Sequence, residues 1–109
     1  MSAITTHILD TSRGQPASGV PVSLEQQSGG AWKLLGHGVT NLDGRLASLL
    51  PEDAALAVGI YRLTFDTRAY LPNGLYPEVT ITFQVRDAER HYHIPLLLSP
   101  YGYTTYRGS

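Results

Sequence analysis

The chain has 109 residues, a net charge of −1, 16% charged residues and no cysteine. That length suits one compact domain over residues 1–109 that buries roughly 60–68% of its unfolded surface. The charge gives no pull towards nucleic acid or anionic lipid, and the missing thiols exclude disulfides, thiolate metal sites and thiol catalysis. Met1-Ser-Ala-Ile-Thr-Thr-His7 lacks the basic start and apolar stretch of a signal peptide, and no segment reaches membrane-spanning length. The expected location is cytoplasmic, with neither nucleic acid nor membrane as a partner.

In chain order, Ile4 to Leu9 alternates as a strand, with Thr5, His7 and Leu9 on one face. Val20 to Leu24 runs on into Glu25-Gln-Gln27. Ser28-Gly-Gly30 is a turn, and Trp32 to Val39 is its hairpin partner. Asn41-Leu-Asp-Gly44 is a second turn, followed directly by Arg45. Pro51 to Ala57, with proline first and acids in the first turn, predicts either a single helical turn or a loop. Gly59 to Asp66 sets Tyr61, Leu63 and Phe65 against Ile60, Arg62, Thr64 and Asp66. Pro72-Asn-Gly74 marks a tight turn. Val79 to Val85 turns Val79, Ile81, Phe83 and Val85 inward.

His91 to Leu98 carries Ile94, Leu96 and Leu98 on one face and His91, His93 and Leu97 on the other. Tyr101 to Tyr106 supplies a last strand. Strand formers continue into Tyr106-Arg-Gly-Ser109, so this tail is expected to be pinned to a sheet rather than frayed. Roughly seven or eight short strands with turns between them predict an all-β sandwich with at most one short helix.

His7, Arg45, His93 and Arg107-Gly-Ser109 are the groups able to carry chemistry. Taken singly each reads as ordinary: a lone histidine on a strand is usually structural or exposed, and an arginine after an Asp-Gly turn is usually solvated. His91 and His93 share a strand face at a spacing two metal ligands can use. A third ligand is not apparent, so no metal or cofactor is assigned. Phosphate loops, His-Glu-x-x-His helices and Gly-x-Ser-x-Gly elbows are absent.

Thr5-Thr-His-Ile-Leu-Asp-Thr-Ser-Arg-Gly14, Pro16-Ala-Ser-Gly-Val20, Thr40-Asn-Leu-Asp-Gly-Arg45, Gly59 to Phe65, Tyr76-Pro-Glu78, His91 to Tyr103 and the ending Tyr106-Arg-Gly-Ser109 together resemble the transthyretin-like 5-hydroxyisourate hydrolases. The resemblance covers essentially the whole chain. Its first motifs are shared with non-enzymatic prealbumin-like sandwiches. His7, His93 and the terminal tetrapeptide are the features that separate hydrolase from carrier. The stretch from Thr67 to Tyr76 is shorter than in many relatives, which carry a helix there.

The resemblance implies a transthyretin-like sandwich that hydrolyses 5-hydroxyisourate to 2-oxo-4-hydroxy-4-carboxy-5-ureidoimidazoline in urate degradation. It works as a homotetramer, a dimer of dimers with sites in a channel between dimers. The alternative is a small-ligand carrier on the same scaffold. The implied catalytic residues are His7, Arg45, His93 and Ser109. Arg45, Tyr106, Arg107 and Gly108 bind substrate or hold the tail. His7 takes the proton of water, Arg45 stabilises the oxyanion, and His93 orients water or returns the proton; the two histidines are interchangeable at this level.

Overall fold

The computed structural model describes residues 2–109. Nine strands form two sheets: β1 (Ile4–Asp10), β2 (Gln15–Pro16), β3 (Pro21–Ser28), β4 (Ala31–Val39), β5 (Arg45–Leu46), β6 (Gly59–Phe65), β7 (Val79–Val85), β8 (Tyr92–Ser99) and β9 (Gly102–Thr105). One sheet runs β2-β1-β8-β9, with β5 also pairing β1; the other runs β4-β3-β6-β7.

Each inner face is the apolar half of an alternating strand. Ile4 and Ile8 of β1, Val22 and Leu24 of β3, Tyr61, Leu63 and Phe65 of β6, and Ile94, Leu96 and Leu98 of β8 are buried between the sheets. Burial of each such side chain contributes roughly 1.5–3 kcal/mol, so a one-residue slip in any of these strands is strongly disfavoured. Two tyrosines enter the core edge with their hydroxyls satisfied. Tyr61 donates to the Ala57 carbonyl at 2.6 Å and Tyr92 to that of Asp87 at 2.8 Å.

The expected strands are present, and β2 and β5 are added to them, each too short to show a period. The Ser28-Gly-Gly30 turn closes the β3–β4 hairpin, with positive φ at Gly29 and Gly30. Pro51 to Ala57 forms no helix. Its one turn closes by Ala54 N–H donating to the Pro51 carbonyl, and the chain then runs on as loop. Leu49, buried, and Leu50 and Leu56, half-buried, pack against the core just before and within this segment, and that packing overrides the local start signals. Among the described residues the one helical turn lies instead at Thr67–Ala69.

The pairing that matters most for function is β1 with β8. It is parallel, in an otherwise antiparallel molecule, and sets Thr5 opposite His93 and His7 opposite Pro95. Asp10, wholly buried at the end of β1, anchors the loop that follows. Its carboxylate accepts from Ser12 N–H and Oγ, from Arg13 N–H and from the Tyr70 hydroxyl at 2.6–3.1 Å.

Candidate active site

The inner face of β1 and β8 is spent on the core, so the chemistry-bearing residues stand on the opposite, outer face of the same sheet. Thr5 and His7 project there from β1, and His93 from β8. Arg45 joins them because β5 pairs antiparallel with β1, His7 opposite Arg45.

The turn before Arg45 explains its placement. Asn41 Oδ1 accepts from the backbone N–H groups of Asp43 at 2.9 Å and Arg45 at 3.0 Å, and Gly44 N–H donates to the Asn41 carbonyl at 2.9 Å. Gly44 has φ +73°, and a Cβ there would run into the Ile8 carbonyl. Only glycine lets the turn lie this close against β1. The same close approach lets Ile8 N–H donate to the Gly44 carbonyl at 2.8 Å, which ties the turn to the strand that carries His7.

The tail is held on the other side. β9 pairs with β8, and beyond it Gly108 bridges His93, donating its N–H to the His93 carbonyl at 2.8 Å. A Cβ on Gly108 would come within 2.5 Å of His93 Cδ2, so the chain end lies directly against the imidazole. The expected pinning of this tail is therefore observed. Arg107 reaches back instead: its guanidinium donates to the His91 carbonyl at 3.3 Å and lies over the Tyr92 ring at 4.4 Å.

These elements surround a cavity of about 190 Å³, lined by Thr5, Thr6, Arg45, Leu46, Ala47, His91, His93 and Ser109. Of the expected site residues, Arg45, His93 and Ser109 line it directly. His7 stands just outside, next to Thr5 on the β1 face and paired with Arg45. Gly108 backs His93. Tyr106 and Arg107 do not line the cavity within one chain; they line a groove with Ile81, Phe83 and Tyr92. Arg107 fastens the chain end there through the His91 carbonyl and the Tyr92 ring. A larger groove of about 890 Å³ opens between β4 and residues 47–52, but among its lining side chains only His37 and Glu52 ionise.

Both imidazoles are held below the ordinary histidine pKa. For His93, burial is the main cause, followed by the positive field of Arg45 and then by His91 and His7. For His7, burial again leads, followed by Arg45. A hydrogen bond to the Asp43 backbone and the Asp43 charge oppose the shift without reversing it. At neutral pH both rings are uncharged bases beside a permanent cation. One guanidinium acts on both rings, so the three groups belong to one electrostatic neighbourhood.

Sequence reasoning did not single out Thr5. Its hydroxyl lies 2.8 Å from His93 Nδ1 and 3.0 Å from His91 Nε2 and bridges the two rings. The period of β1 put Thr5 on the right face, but nothing local announces that β8 lies beside it. Among the described residues, no group of three or more histidine and acidic side chains is arranged to hold a metal ion.

The sequence pattern described as the HIUase/Transthyretin family matches residues 4–108. The chain is 46% identical to the 5-hydroxyisourate hydrolase of Salmonella dublin, covering 97% of this chain and 80% of that protein. It is 46% identical to 5-hydroxyisourate hydrolase 2 of Rhizobium meliloti, covering 97% and 95%. A bifunctional uric acid degradation protein of Arabidopsis thaliana is 45% identical over 97% of this chain, which spans only 37% of that longer protein. Among solved structures, Klebsiella pneumoniae 5-hydroxyisourate hydrolase superposes with a TM-score of 0.84 at 39% identity, each chain covered in full. Sea bream transthyretin, in complex with thyroxine, gives 0.89 at 33% identity over 97% of this chain and 94% of that one. A match of this extent to the family pattern, with the same two sheets and near-complete coverage by hydrolase relatives, means that the chain belongs to the HIUase/Transthyretin family.

Proposed function

We propose that this protein hydrolyses 5-hydroxyisourate, opening its six-membered ring by attack of water on a ring carbonyl. The observation that carries this reading is the meeting of an uncharged His93, Arg45 and Ser109 around one cavity, with His7 alongside. Water attack on an amide-like carbonyl needs a base near neutrality and a fixed cation where the oxyanion develops. His7 and His93 are the two bases with suitable pKa. Arg45 forks hydrogen bonds onto the carbonyl oxygen and keeps its charge throughout. Ser109, hydroxyl or carboxylate, positions the water against His93, and Gly108 allows the approach. Tyr106 and Arg107 hold the tail in place.

The working form is a homotetramer of two dimers in the cytoplasm. The outer face of the β1–β8 sheet supports this. Beside the site it presents Leu9 and Leu97, paired across the strands and half-buried in a single chain, a surface suited to further burial.

A carrier role on the same scaffold is favoured by the likeness to thyroxine-bound transthyretin. A carrier requires neither base nor a chain end pressed against one. The deciding experiment is ultraviolet spectroscopy of freshly made 5-hydroxyisourate with and without the protein, in the presence of a chelator. The expected outcome is catalytic loss of the substrate spectrum, unaffected by the chelator. Decay at the spontaneous rate, with stoichiometric uptake at most, would establish the carrier instead.

A further inference from the structure

We infer that Thr5 and His91 form, with His93, a proton relay that carries the proton of the attacking water away from His93 and returns it to the leaving nitrogen. The inference rests on the hydrolytic reading above. The bridging Thr5 hydroxyl is 2.8 Å from His93 Nδ1 and 3.0 Å from His91 Nε2, and Thr5 is only 7% exposed. The two rings are nearly parallel, 19° apart, with centroids 6.4 Å from each other. At that separation they do not bond directly, and the hydroxyl is the connection between them.

A hydroxyl has one proton to donate and lone pairs to accept with. It therefore cannot donate to both rings at once. The productive arrangement has His93 Nδ1–H donating to Thr5 Oγ1 and Thr5 Oγ1–H donating to His91 Nε2. This leaves Nε2 as the basic nitrogen of His93, and it has no hydrogen-bond partner among the described residues. His91 lines a second cavity too, of about 380 Å³, with Glu52, Glu89 and Arg90 around it. It is the one residue shared by the two cavities. A proton that reaches His91 sits on a ring that borders both cavities, one hydroxyl removed from His93.

The transfer balances as follows. A water O–H bond breaks, its proton goes to His93 Nε2 and the hydroxide adds to the ring carbonyl carbon. The Nδ1 proton of His93 passes to Thr5, and the Thr5 proton passes to His91 Nε2. His93 is again neutral, His91 is a cation, and the oxyanion faces Arg45. When the tetrahedral centre collapses, the ring C–N bond breaks and the leaving nitrogen takes a proton back along the same path. Thr5 and His91 thus act through His93, and their part in the relay requires no contact with substrate.

The test compares Thr5→Val, Thr5→Ser and His91→Asn in the whole chain. Valine keeps the shape of threonine without the hydroxyl; asparagine can hydrogen-bond Thr5 but cannot accept the charge. Thr5→Val and His91→Asn are each expected to lower kcat about 10–100-fold with KM little changed, while Thr5→Ser restores most of the rate. Nitrogen-15 spectra of the ligand-free protein are expected to show His93 protonated at Nδ1 in the wild type and shifted towards the Nε2-protonated form in Thr5→Val. Wild-type kcat in either disabled variant, or a Thr5→Ser variant as slow as Thr5→Val, overturns the relay while leaving the hydrolase reading intact. If Thr5→Val does not fold, His91→Asn decides alone. If the wild type does not open 5-hydroxyisourate, the hydrolytic reading fails. The tautomer of His93 in the wild type still decides the bridge, and a proton at Nε2 there sinks it.

Discussion

In the proposed mechanism His93 and His7 act as bases, and their lowered pKa values favour the uncharged form where an ordinary imidazole is half protonated. Replacement of either by asparagine is expected to cut kcat by roughly 10²–10⁴, the usual worth of a positioned base, without loss of folding. Steady-state kinetics beside a melting curve checks this, and near-normal turnover would remove that residue from the mechanism. The pH response has a definite sign. Both folded pKa values lie below the ordinary 6.5. The rate should therefore be level above about 6.5 and decline as pH falls through the lowered values. Stability moves the same way. Between the two pKa values the unfolded chain binds protons that the folded chain refuses, so acidification through that window favours unfolding. A rate that climbs as pH drops through the window contradicts the assignment of neutral bases.

At the scale of elements, the site depends on two close approaches made by glycine. Gly44→Ala forces a Cβ onto a positive-φ residue and against β1. It is expected to cost about 1–3 kcal/mol in urea unfolding and to lower kcat through a displaced Arg45. An unchanged unfolding midpoint would show that the turn can shift at no cost. Removal of residues 107–109 should abolish turnover and leave the core stability nearly unchanged, since the lost contacts are mostly solvent-exposed; an active truncation would make the tail irrelevant. Most strands were legible beforehand because one face of each is buried. Tyr61, Leu63 and Phe65 could occupy only one side of β6, and Ile94, Leu96 and Leu98 only one side of β8. The tail was legible for a related reason, since its strand formers needed a partner. Pro51 to Ala57 misled because its start signals are local, whereas its fate is set by leucines packing on the core. The Thr5 bridge was illegible because the parallel partner of β1 lies 88 positions further along the chain. Periodicity reports the face of a strand and never its neighbour.

The whole molecule is organised around that first sheet. Its β1 end is locked by the buried Asp10 carboxylate. Burial alone would raise the Asp10 pKa, but the hydroxyls of Ser12 and Tyr70 and the Arg13 and Ser12 amides more than reverse this. Asp10→Ala is expected to lose roughly 2–4 kcal/mol, read from urea midpoints, because it strands the Tyr70 hydroxyl and frees the loop after β1. A loss under about 0.5 kcal/mol would show that water replaces the carboxylate. Sedimentation should give four chain masses per particle, and a monomer with full activity would refute the proposed assembly. The union of β1 with β8 also bears on how the protein comes into being. As the polypeptide leaves the ribosome, residues 4–10 must wait for residues 92–99, which are made 88 positions later. Until then the histidine-bearing strand lacks its main neighbour, and a long loop has to close before this sheet can zip. Synthesis that stops early therefore yields a chain with bare strand edges, prone to clumping and without hydrolytic power.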